Sequence, residues 1–136
     1  MLPFQLSLLF VSAVIAILFG LRYLMARKFT TYVKVVGKPW SQLEVRVQAI
    51  ILGMLRIIGG GFITYGLALL WILVPLNEKQ WWAPWAVLTM TVATLAPVLH
   101  VMLWLRRLEP SARTPIVPAI VVLVLALLGA GSALIH

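Results

Sequence analysis

Cysteine is absent from this 136-residue chain, and only three of its residues are acidic. Without cysteine there is no disulfide, no thiolate metal site and no thiol nucleophile. The three acids, Glu44, Glu78 and Glu109, all fall outside the long apolar runs. No paired-carboxylate chemistry or carboxylate metal centre is therefore expected inside a bilayer, and a proton-coupled pump would lack its embedded acid. Charge of either sign is scarce, at 10% of residues against 63% hydrophobic, where soluble proteins carry roughly a quarter.

What is there is apolar and long. Uncharged stretches run from Leu2 to Leu21, Ile57 to Asn77, Gln80 to Leu105 and Thr114 to Ile135, each near or above the ~20 residues needed to cross a hydrocarbon core. Lipid leaves the backbone to satisfy its own hydrogen bonds, and no period-2 alternation supports a barrel, so the spans are expected to be helices. The expected fold is all-α: a single membrane domain, a four-transmembrane-helix bundle with helices at about 4–25, 41–75, 81–105 and 115–135. The first span has no basic residues before it and Arg22, Arg27 and Lys28 after it, which predicts a retained helix rather than a cleaved leader.

A formal charge of +8 would suggest nucleic acid in a soluble chain. Here the cations sit in short connections beside the spans, and anionic lipid of the cytoplasmic leaflet is the simpler partner. Arg22, Arg27, Lys28, Lys34, Lys38 and Arg46 surround the first connection and Arg106, Arg107 and Arg113 the third, while Lys79 alone lies in the second. This bias predicts the first and third connections inside, both termini outside, and a multi-pass protein of the bacterial inner membrane. Arg27, Lys28, Lys34, Lys38, Arg106 and Arg107 are the expected headgroup contacts. Trp71, Trp81, Trp82 and Trp85 flank the second connection, as an outer aromatic belt would.

Phe29, Tyr32, Val33, Val36 and Trp40 recur at helical spacing, as in a helix lying in the headgroup layer or an extension of the first helix; Gly37 and Pro39 should break it. Ser41 and Glu44 form a capping-box pattern that predicts a helix start at Ser41, and Pro75 predicts its end near Val74. Pro97 predicts a mild kink in the third span. Ser12, Ala16 and Gly20, and again Ala126, Gly129, Ala130 and Ala133, make small-residue stripes suited to close packing.

Two polar residues stand out at membrane depth. Arg56 lies inside an apolar run, flanked on its helical face by Ala49, Gly53, Gly60 and Thr64, which predicts an inward-packing surface; Gly59 and Gly61 extend it. Arg56 either snorkels to lipid phosphates or holds an anionic headgroup, a ligand or the bundle itself. His100 shares a side with Thr89, Ala93, Ala96 and Trp104 and is expected about a turn shallower than Arg56. It is either a packing residue or part of a shared pocket with Arg56. His136 falls at the other end of its span, which excludes an intrachain bis-histidine haem. No cofactor, metal or catalytic residue is expected.

In size the chain looks like the small multidrug resistance transporters, whose first-helix glutamate has no counterpart between Leu2 and Leu21. In length and topology it also looks like the membrane-associated glutathione and eicosanoid enzymes, but the run from Arg46 to Gly53 carries only the Arg and Gln of that family's motif. The order of Phe29 to Tyr32, Gly37 to Trp40 and Leu55 to Gly61 resembles uncharacterised small bacterial four-helix integral membrane proteins. That resemblance implies the fold and no activity. The function expected is a non-enzymatic accessory or scaffold subunit acting through lipid or protein contacts, as a homo-oligomer or on a membrane-protein partner. The alternatives are a small oligomeric permease or channel for an anionic or amphipathic substrate and, third, a glutathione-transferase-like enzyme.

Overall fold

The structure, a computed structural model, describes residues 3–27, 37–110 and 116–135. Four helices form it: α1 (Pro3–Leu24), α2 (Val45–Asn77), α3 (Ala83–Leu108) and α4 (Ile116–Ile135), with a short 3-10 turn at Trp40–Gln42. Each of the four is long and apolar enough to cross a membrane. They make a bundle in which α1 packs on α2 and α4, and α3 on α4 and α2. The four tryptophans of the second connection mark one end, and Arg22, Arg46, Arg106 and Arg107 mark the other, termed here the tryptophan and basic ends.

Small residues set how closely the helices approach. A methyl carbon on Gly59 would stand 2.6 Å from the Gly20 carbonyl oxygen and 2.9 Å from the Leu24 nitrogen; one on Gly66 would stand 2.5 Å from Ile17 Cγ1 and 2.7 Å from the Ala13 carbonyl. Backbone therefore meets backbone between α1 and α2, as close helix packing in lipid requires. Phe19 locks the same contact, edge-on to Phe62 with centroids 5.1 Å apart and to Tyr23 at 4.7 Å, a favoured aromatic geometry. The small stripe of α1 is inward, with Ser12, Ala16 and Gly20 buried, and so are Ala126, Gly129 and Ala130 of α4.

The start of α2 departs from the capping-box expectation. Gln42 and Leu43 donate their amides back to Pro39 and Trp40, closing a 3-10 turn where the helix was expected, and Leu43 is extended at φ −76°, ψ 142°. Glu44 becomes the N-cap with no side-chain capping bond, and Gln48 instead ties the turn down by donating from Nε2 to the Trp40 carbonyl at 2.7 Å. Gly37 bends the chain before it with φ 78°. At the other end α2 passes through Pro75 to Asn77. A proline so near the terminus removes only the bond to the Trp71 carbonyl, and its φ suits the helix.

Candidate functional site

The polar residues of the spans fall into two sets, one inside the bundle and one on its outside. Ser12 and Thr91 are fully buried and Tyr65 nearly so. Ser12 Oγ donates to the Val122 carbonyl at 3.1 Å, tying α1 to α4. The Tyr65 and Thr91 hydroxyls share a hydrogen bond at 2.8 Å, tying α2 to α3. Two buried bonds thus link the helices in pairs, α1 with α4 and α2 with α3. Polar groups in an apolar span are stabilised by finding such partners on neighbouring helices. The residue pattern held a usable signal: Tyr65 and Thr91 are hydroxyl residues within apolar runs, and Ser12 belongs to the small stripe of α1.

The Tyr65 to Thr91 bond also sets the register of α2 against α3. Trp71 and Trp85 each lie six residues from it toward the tryptophan end, and Arg56 and His100 each lie nine residues from it toward the basic end. Arg56 and His100 are therefore level, about 13 Å from the bond at ~1.5 Å per residue, rather than offset by a turn. Trp71 and Trp85 are level too, and both are exposed. From Trp85 to Arg106 is 21 residues, about 32 Å of helix, which matches a hydrocarbon core of roughly 30 Å.

Level does not mean adjacent. Nine residues are two and a half turns, so Arg56 projects from the side of α2 opposite Tyr65, and His100 from the side of α3 opposite Thr91. Both are exposed, and so are Thr89, Ala93, Ala96 and Trp104 beside His100. One chain does not bring Arg56 and His100 into a common cavity.

The inward face of α2 is likewise not the one expected. Leu55, Gly59, Phe62, Gly66 and Leu69 are buried, whereas a side-chain carbon on Gly53, Gly60 or Gly61 would meet nothing within 4 Å. Thr64 is exposed and turns its hydroxyl back to the Gly60 carbonyl at 2.9 Å. Three successive glycines offer three directions to the helix, and the bulky neighbours Leu55, Phe62 and Leu69 decide which one turns inward. Of the glycines of α2 expected around Arg56, at 53, 59, 60 and 61, Gly59 alone meets another helix of this chain among the described residues.

At the basic end Arg27, Lys38, Arg106 and Arg107 are exposed, while Lys28 and Lys34 lie outside the described residues. Among the described residues no cluster of three or more metal-ligating side chains occurs. The outside of α2 around Arg56 is thus the candidate site: an exposed cation on an apolar helix, with open glycine positions on either side of it. Comparison with protein families, with characterised proteins and with solved structures finds no match to this chain.

Proposed function

We propose that this chain is a non-enzymatic, multi-pass protein of the bacterial inner membrane that acts by contact, as an accessory subunit seated in anionic lipid. Its basic end faces the cytoplasm, where Arg27, Lys38, Arg106 and Arg107 meet phosphates, and its termini and tryptophans lie on the other side. The observation that carries the reading is the division of the α2 glycines. Gly59 and Gly66 already serve the chain's own packing, and Gly53, Gly60 and Gly61 have open space before them. Open small positions on a membrane helix permit a close approach by a further helix.

The test is site-specific photocrosslinking in native membranes, with benzoylphenylalanine placed at exposed Ile57 or Leu67 on α2 and at exposed Val124 on α4. Protein adducts concentrated on α2 are the expected result. Lipid-only adducts at every position, together with anion flux through the purified chain in liposomes, would replace this reading with the permease.

Orientation is checked by cysteine labelling, for which a chain without native cysteine needs no background removal. In intact cells an impermeant thiol reagent should spare cysteine at Lys38 and modify cysteine at Asn77.

A further inference from the structure

We infer that the outside of α2 receives a transmembrane helix of a different protein, one that carries a carboxylate at the depth of Arg56. The inference rests on the accessory-subunit reading and adds to it the chemistry of the partner. Arg56 lies three residues after Gly53 and four before Gly60 and is exposed. It sits six residues, about 9 Å of helix, short of the level of Arg106, so its guanidinium starts within the hydrocarbon, where a cation is stabilised by a counter-charge. The neighbouring glycines would let a partner backbone approach as closely as Gly20 and Gly59 approach each other inside the chain.

Charge decides the occupant. A second copy laid against this face would bring another Arg56 and no acid, because the chain's three acids lie at the ends of α2 and α3, at Glu44, Glu78 and Glu109. Along α2, Glu44 is twelve residues from Arg56 and Glu78 twenty-two, roughly 18 and 33 Å. A chain of net charge +8 is complemented by an acidic partner, and the planar guanidinium suits a carboxylate bidentately.

The experiment uses the full chain, labelled with a donor fluorophore, in phosphatidylcholine vesicles. Its probes are acceptor-labelled leucine-alanine helices that carry one Glu at the depth of Arg56, one Gln there, or neither. Energy transfer should show the Glu helix associating about tenfold or more above the plain helix, with Gln between them. Arg56→Leu should erase that preference and Arg56→Lys should keep part of it; circular dichroism checks that the variants stay folded. Gly60→Leu should weaken all three probes.

Equal association of the Glu and plain helices would overturn the inference. So would loss of the Glu preference when phosphatidylglycerol is added, which would assign Arg56 to a lipid phosphate, or transfer between two copies that Gly60→Leu abolishes, which would assign the face to self-association. None of these results bears on the accessory-subunit reading, which fails separately if no face of the chain crosslinks to protein in native membranes.

Discussion

Seven residues separate Gly53 from Gly60 on one side of α2 and seven separate Gly59 from Gly66 on another, yet the two pairs have opposite surroundings. At Gly59 and Gly66 a single added carbon would strike the backbone of α1; at Gly53 and Gly60 it would meet open space. Hydroxyls follow the same division. Tyr65 faces inward and bonds across the bundle, while its neighbour Thr64 faces outward and bonds within its own helix. Neighbouring positions, Gly59 beside Gly60 and Tyr65 beside Thr64, are thus committed to internal structure on one face and left open to outside contact on the other.

The sharpest way to break this comparison is to add and remove bulk on the two faces. Gly66→Leu should destabilise the bundle by about 3 kcal/mol or more, since the obstruction includes backbone that cannot rotate away. Leu69→Ala, at a fully buried position, should cost about 2–5 kcal/mol. Gly60→Leu should stay within about 0.5 kcal/mol, as surface changes do. Unfolding of the purified chain by denaturing detergent in mixed micelles measures all three. A Gly60→Leu loss as large as that of Gly66→Leu would mean that the outer face already has an occupant in the isolated protein.

Next in size is the buried pair Tyr65 and Thr91. Tyr65→Phe should cost about 0.6–1.7 kcal/mol, the range for hydrogen bonds between membrane helices, and Thr64→Val close to nothing. A double-mutant cycle of Tyr65→Phe with Thr91→Val should give less than the sum of the two, because both remove the one bond between them. Full additivity would mean that the two hydroxyls are not coupled.

Much of the architecture was legible in the residues. Four apolar runs bounded by cations and tryptophans gave the four helices, and Ser12, Ala16 and Gly20 gave the inward face of α1. The inward face of α2 was not legible in the same way. A glycine leaves no side chain to reveal its direction, and a run with glycine at 59, 60 and 61 supports either choice until Leu55, Phe62 and Leu69 are seen to pack. The pairing of Tyr65 with Thr91 depends on the register between α2 and α3, which is set by the turn joining them and by packing along their length. The same register showed that Arg56 and His100 are level while projecting from opposite sides of the α2 to α3 contact.

A small effect of the opposite sign is expected at the end of α2, away from both faces. Lys79 follows the helix with φ 58°, its amide bonded to the Leu76 carbonyl and that of Gln80 to the Pro75 carbonyl, the paired bonds of a Schellman cap. The left-handed position of that cap favours glycine, because a side-chain carbon there crowds the following carbonyl at a cost of about 1–2 kcal/mol. Glycine relieves the crowding but gives the unfolded chain more freedom to lose, so Lys79→Gly should stabilise the bundle by only about 0.5–1 kcal/mol. The cap touches neither glycine pair. Combined with Gly66→Leu or with Gly60→Leu, Lys79→Gly should therefore add the same small increment to each and leave the difference between the two faces unchanged, within the few tenths of a kcal/mol expected of independent sites. An increment that depended on which glycine was replaced would show that the two faces are coupled through the helix, and the division between them would then be one of degree.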